Sequence, residues 1–258
     1  MSRLPQLRQD LADEQADLRG LLSGLTASAW TAPTPSAGWT VSDQVGHLAY
    51  FDRAARLAIE DPESFAAVRA GLLAHPETVD EVTLHREMPS QRLFDTWVEG
   101  ADALIKAAGT LADGVRVAWI GPSMGAASFL TARLMENWAH GLDVADAVGA
   151  DRRPTDRLRH IAQLGVITRS WTYLNRGLEV PPGQIAVRLQ APGGDTWSWG
   201  EPEIGSIDGP AEDFCMVVTQ RRHVDDTGLR MVGESARDWM LKAQAFAGAP
   251  TDGPEVRR

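Results

Sequence analysis

A single cysteine, Cys215, stands among 258 residues. The chain can therefore close no disulfide within itself and can build no cysteine-rich zinc site, which fits a reducing compartment. Long apolar runs are also missing: no window approaches the length of a membrane span. The opening stretch "MSRLPQLRQDLADEQ" is charged from the start and carries no apolar signal core. A cytoplasmic protein with no membrane partner is expected. Basic residues are in the minority, 25 Lys and Arg against 35 Asp and Glu, for a formal net charge of −10. Such a field repels a phosphate backbone and excludes nucleic acid as an expected partner. No internal repeat is visible. What is present is ordinary: 43% hydrophobic residues, in a length that supports one large domain or two modest ones with proper cores.

The first half of the chain has helical periodicity. Leu4, Leu7, Leu11, Leu18, Leu21 and Leu22 recur at mostly three- and four-residue intervals, the stripe of an amphipathic helix. A second helix is expected in "GWTVSDQVGHLAYFDRAARLAIED", where Thr40 or Ser42 can cap the first turn and Trp39 can pack back on it. "ESFAAVRAGLLAH" and "PSQRLFDTWVEGADALIKAAGTL" supply two further apolar stripes. The turn-rich "GVRVAWIGPSMG" leads to a helix containing "RLMENWAHGLDVADAVG", stopped by Gly149. "DRLRHIAQLGVITRSWTYLNRG" reads as one more helix, burying Leu158, Ile161, Leu164, Ile167 and Trp171.

After Gly177 the pattern changes. Ile185, Val187 and Leu189 alternate, a Pro-Gly-Gly-Asp turn follows, and Trp197 and Trp199 continue on the far side, as in a β-hairpin. "DGPAEDFCMVVTQRRH" reads as a helix with acids at its start and bases at its end, "GLRMVGE" as a strand and "SARDWMLKAQAFAG" as a closing helix. The expected organisation is mainly α: a helical bundle over residues 1–177, a small α+β domain over 178–248 and a flexible tail over 249–258.

Glu136, His140 and Asp143 are spaced four and three apart, so a helix stacks all three on one face, where they can converge on a point. One helix cannot close a metal site. A third ligand is wanted from another helix, with a position left open for water or substrate. His47 is the best candidate: it lies among Val45, Leu48 and Phe51, directly after Gly46, whose missing side chain lets a neighbouring helix approach closely. Asp52 and Asp143 can orient a ligand histidine from outside, or simply face water from a helix rim. The spacing alone leaves two plainer readings open, a packed core histidine and a solvated helix face. His75, His85, His160 and His223 have no matching partners.

"GWTVSDQVGHLAYFD" resembles the opening signature of the DinB-like four-helix bundles, in the branch typified by mycothiol-dependent maleylpyruvate isomerase. There a tryptophan-containing turn leads to a helix bearing His, then Leu, then Asp. "ENWAHGLDVADAVG" is similar to the second metal motif of that branch. The resemblance implies a divalent metal, usually zinc, with nickel or iron as alternatives, held by His47, Glu136 and His140. The remainder is similar to the small C-terminal domain of this branch, sterol-carrier-like or of the wyosine-base-formation type. It implies an active-site arginine at Arg221 or Arg222, although the family's Gly-Arg ending here reads Gln-Arg-Arg. Cations that favour a helix C-terminus are the alternative for those two residues.

A two-histidine, one-carboxylate site with open coordination lowers the pKa of a bound thiol or water, or polarises a carbonyl. The resemblance implies the first use: an enzyme of the mycothiol-dependent isomerase or transferase type, acting with an external low-molecular-weight thiol on a small electrophilic or acidic substrate. A metal-dependent hydrolase and a non-catalytic protein holding a metal and an apolar ligand remain as alternatives. The expected assembly is a monomer or homodimer.

Overall fold

The computed structural model describes residues 2–257; Met1 and Arg258, the outermost residues of the expected domain limits, lie outside the described residues. The leucine stripe becomes α1 (Leu4–Ser23), with Leu4, Leu7, Leu11, Leu18 and Leu22 buried. Pro5 sits in the first turn, where its missing N–H is not needed. A short α2 (Ala27–Trp30), capped by Thr26, places Trp30 in the core. Then follow α3 (Val41–Glu60), α4 (Pro62–Ala74), a 3-10 turn and α5 (Val79–Thr83), and α6 (Ser90–Ala108).

The turn-rich passage forms a two-stranded antiparallel ribbon, β1 (Arg116–Val117) with β2 (Met124–Gly125). It feeds α7 (Ala126–Val148). Gly149 ends that helix with φ +67, a left-handed conformation that a side chain disfavours.

The four long helices close a ring: α1 packs on α6 and α7, and so does α3. Their shared core is built from Leu18, Leu22, Val41, Val45, Leu48, Leu93, Trp97, Ala101 and Val144. Each fully buried large apolar side chain contributes about 1.5–3 kcal/mol relative to an exposed one. The expected four-helix bundle is therefore present, and α3 and α7, which carry the candidate ligands, are neighbours in it.

The rest of the chain contains α8 (Leu158–Ile167), α9 (Arg169–Leu174), β3 (Ala186–Gln190), β4 (Thr196–Trp199), β5 (Ser206–Pro210), α10 (Ala211–Val218), β6 (Arg230–Val232) and α11 (Glu234–Lys242). The strands form one sheet in the order β4-β3-β5-β6, with β3 and β5 parallel and the outer pairings antiparallel. The hairpin β3–β4 is the expected one. β5 takes Asp208, Gly209 and Pro210 from the start of the helix expected in "DGPAEDFCMVVTQRRH": Pro210 closes the strand, and α10 starts directly after it and ends at Val218.

Two further expectations are corrected. The helix expected across residues 156–177 breaks at Thr168, whose hydroxyl donates to the carbonyls of Leu164 and Gly165, a local bond that bends helices. Leu158, Ile161 and Leu164 are buried as expected, but Ile167 is 56% exposed and Trp171 lies at the surface.

The compact units are Met1–Arg152 and Arg153–Arg258, not units divided at residue 177. The reason is packing: α8 lies on α10, and α9 on α11. Residues 249–257, expected as a tail, carry no helix or strand. They bond to their own unit: Thr251 Oγ1 donates to Gln220 Oε1 at 2.5 Å, and Arg257 N donates to Asp226 Oδ2 at 2.8 Å. No helix among the described residues is long and apolar enough to cross a membrane.

Candidate metal centre

The turn before α3 sets the first ligand. Thr40 caps the helix in a reciprocal box: its hydroxyl accepts from Asp43 N at 3.3 Å, and Asp43 Oδ2 accepts from Thr40 N at 2.8 Å. The other oxygen of Asp43 takes Arg86 Nε at 2.8 Å. Burial works to raise the Asp43 pKa, but the bonds from Arg86 and Thr40 outweigh it and hold the carboxyl below its ordinary value.

One turn on, Gly46 is crossed by the chain leaving α5. A Cβ built there would stand 2.0 Å from the Leu84 carbonyl oxygen. The expected close approach is real, but a backbone carbonyl makes it, not a packed helix. His47 follows directly. Its ring lies 4.5 Å from that of Phe51, 5.4 Å from Trp39 and 4.4 Å from His140.

On α7, Glu136 and His140 project from successive turns. Glu136 Oε2 lies 3.1 Å from His140 Nε2 and 3.4 Å from His47 Nε2. Ligand atoms of the three residues all fall within 4.8 Å of one another. Burial alone would raise the Glu136 pKa; the hydrogen bonds to His140 and His47 reverse this and hold it well below the ordinary carboxylate value. The carboxylate is thus ionised, and two imidazoles turn Nε2 towards it.

Behind His140, the Gln44 side chain, fully buried on α3, brings Oε1 to 2.5 Å from Nδ1. The Gln44 amide donates to Thr34 Oγ1 at 2.8 Å, and the Thr34 hydroxyl donates to the Trp39 carbonyl at 3.0 Å. Asp143 Oδ2 stands 3.9 Å from the same His140 nitrogen and accepts from Ser36 Oγ at 3.2 Å. Asp143 therefore lies beside the centre, outside the three-residue cluster.

Asp52, expected as an orienting acid, does something else. It is wholly buried and takes Arg133 and Gln15, not a histidine. The signal that sequence reasoning missed is Gln44, a polar residue three before His47 and hence on the same face of the helix.

Trp39 stacks on His140 with ring centroids 6.0 Å apart and planes 14° apart. Trp119 meets Phe65 at 5.7 Å, Phe129 at 5.3 Å and Phe51 at 6.3 Å. Phe51 thus joins His47 to an aromatic cluster on one side.

In the second unit, Arg221 and Arg222 follow α10 and turn back on it. Both backbone N–H groups donate to Met216 O, Arg221 Nη1 donates to Thr219 O at 2.8 Å, and Arg222 Nη2 contacts Met216 Sδ at 3.8 Å. Cys215 is buried, its thiol facing the Leu158 carbonyl at 3.5 Å, and burial pushes its pKa well up.

The donor set fits a divalent ion of borderline softness: two imidazole nitrogens and one ionised carboxylate oxygen, with the second nitrogen of His140 already engaged. Bundle and cluster together define a DinB-like helical protein. Residues 11–145 match the model of the mycothiol maleylpyruvate isomerase N-terminal domain, and the chain belongs to that family. It is 45% identical over 248 residues to uncharacterized proteins from two strains of Mycobacterium tuberculosis, covering 95% of this chain and 96% of each relative. Among solved structures it is similar to mycothiol-dependent maleylpyruvate isomerase and to a histidine-to-alanine mutant of that enzyme. Each match has a TM-score of 0.57, 16% identity and 96% coverage of both chains. At that identity the likeness shows the fold.

Proposed function

We propose that this protein is a metal-dependent enzyme of the thiol-dependent isomerase or transferase type, taking mycothiol as its external thiol and a small electrophilic acid as substrate. The observation that carries the reading is the meeting of His47, Glu136 and His140 within 4.8 Å. Family membership and the names of the structural neighbours support the choice of thiol and reaction class. A divalent ion held by these three residues, zinc by preference with nickel or iron as alternatives, would supply the Lewis acidity that brings a thiol pKa to near neutrality.

The chain's own residues do the rest. Glu136 brings one negative charge to the two imidazoles, and Trp39 and Phe51 flank the ligand rings with apolar surface. Apolar surface on that flank lowers the local dielectric and strengthens the electrostatic contacts beside it. Cys215 cannot serve as the nucleophile, because it is buried and its thiol is held protonated; the sulfur has to come from outside. Pairing of a substrate carboxylate with Arg221 or Arg222 belongs to the same proposal.

The test is turnover of a panel of small unsaturated acids, maleylpyruvate among them, with and without mycothiol and with and without added zinc. Turnover is expected only where thiol and metal are both present. Arg221→Ala and Arg222→Ala should leave metal content unchanged, and one of them should raise KM. Turnover that persists without any thiol would overturn this reading in favour of a hydrolase.

A further inference from the structure

The geometry points to a further binding feature at the rim of the metal centre: Tyr50 and His85 form a two-donor subsite that takes the carboxylate of a small acid. The assignment rests on the reading of this centre as an active site. His47 and Glu136 keep 19% and 22% of their side chains exposed, so the cluster opens to solvent on their side. On α3, Gly46, His47, Tyr50 and Phe51 fall three and four apart and share a face. The Leu84 carbonyl lies against Gly46, and His85, the next residue, brings its ring to 6.1 Å from that of Tyr50. Tyr50 meets Phe51 at 5.2 Å, and Phe51 meets His47 at 4.5 Å. Four rings thus run unbroken from the candidate ligand to His85.

Both polar groups are unspent. Neither the Tyr50 hydroxyl nor the His85 ring makes a hydrogen bond among the described residues. Glu87 stands 3.9 Å from His85 Nδ1, beyond hydrogen-bond distance, and is 75% exposed, free to yield to a ligand. Neighbouring donors are committed: Arg86 to Asp43, and Trp39 Nε1 to Asp80. A part-buried phenol or imidazole ordinarily finds a partner. Burial pushes the Tyr50 pKa up against the pull of Arg53, one turn further along α3. The hydroxyl therefore stays a donor, and the guanidinium nearby favours an anion. His85 is also held in a costly backbone conformation, φ +52, shared among the described non-glycine residues only with Gln220. Glycine would adopt it without strain. The flanks impose it: Leu84 is fully buried, and Arg86 is tied to Asp43 at 2.8 Å. Neither anchor needs an imidazole, which leaves that side chain to a ligand.

The experiment is calorimetric titration of the full chain with maleate after chelator treatment, so that maleate cannot ligate a metal. The unchanged protein should bind it. Tyr50→Phe, which deletes one hydroxyl, and His85→Gly should each weaken maleate roughly 10-fold, the effect of losing a hydrogen bond to a charged group. Dimethyl maleate, which keeps the carbonyl oxygens without the charge, should bind far more weakly than maleate. Both variants should take up zinc as the unchanged protein does. His85→Gly should hold or raise the thermal midpoint, since glycine relieves the backbone; a purely structural His85 would lower it.

Unchanged maleate affinity in either variant would overturn the two-donor subsite, and so would an unchanged protein that binds no maleate. Equal binding of the dimethyl ester would overturn its assignment to a carboxylate. The proposed function fails on other grounds, absence of metal uptake or of thiol-dependent turnover, and neither result alters the titration of chelator-treated protein. Where turnover is present, Tyr50→Phe should raise KM for the acid about 10-fold with kcat little changed.

Discussion

Arg133 places both Nε and Nη2 on one oxygen of Asp52, Oδ1, at 3.0 and 2.7 Å. The pair ties α7 to α3 within the interior, close in sequence to His47 on one helix and to Glu136 on the other. Both side chains are almost completely buried, so the attraction acts with little screening while desolvation opposes it. Asp52→Ala should destabilise the protein by about 3–5 kcal/mol, because it leaves a buried guanidinium unpaired. Replacing both partners, as Asp52→Leu with Arg133→Met, should recover most of the loss. Urea unfolding of the three proteins checks the pattern, and an additive double variant would contradict it.

Metal content is the direct test of the centre. Protein purified without chelators should carry about one divalent ion per chain, the stoichiometry of a single three-ligand site. His47→Ala, Glu136→Ala and His140→Ala should each lose it, whereas His160→Ala should not. Elemental analysis decides. A metal-free preparation that takes up no ion on titration would reduce the cluster to a hydrogen-bonded group of partly buried side chains.

Gly46 predicts a coupled defect. Its replacement by alanine drives a methyl group to 2.0 Å from a backbone oxygen, which cannot rotate away. The chain after α5 must move, at a cost of about 1–3 kcal/mol for overpacking, and His47 moves with its neighbour. Thermal unfolding and Co(II) titration should both worsen. Gly20→Ala, on an exposed face of α1 with nothing within 4 Å of the new methyl, should instead stabilise by up to about 1 kcal/mol.

Acid should weaken the turn that carries the site. The folded-state pKa of Asp43 lies below its ordinary value. Its contribution is therefore complete above the unfolded value and is lost as pH falls through the folded one, in a window below about pH 4. Asp43→Asn should lower stability near neutrality by about 1 kcal/mol through the weakened cap, and should flatten the decline below about pH 4. Chemical denaturation across that range measures both effects.

The bundle was legible because its signal is periodic: α1, α3, α6 and α7 each bury a stripe that the spacing of their apolar residues announces. Glu136 and His140 were legible for the same reason, four apart on one helix. Asp52 was misread because a charge within an apolar helix looks alike whether it turns to a ligand or to a buried arginine 81 positions away. Gln44 was passed over because its role depends on the Thr34–Trp39 turn, which no periodicity encodes. In the second unit β5 escaped notice, since a strand of Ser, Ile, Asp, Gly and Pro has the composition of a loop. Thr168 broke a helix through a hydroxyl bond that an apolar pattern cannot show.

The seclusion of Cys215 has a practical corollary. Its thiol is enclosed between α10 and the start of α8, with its ionisation suppressed, so the folded chain offers no nucleophilic sulfur to an electrophile in solution. Such a protein can stand beside a reactive alkene or quinone with its own thiol out of reach. Cys215 should therefore react slowly with thiol reagents in the native protein and fully only once the chain is unfolded.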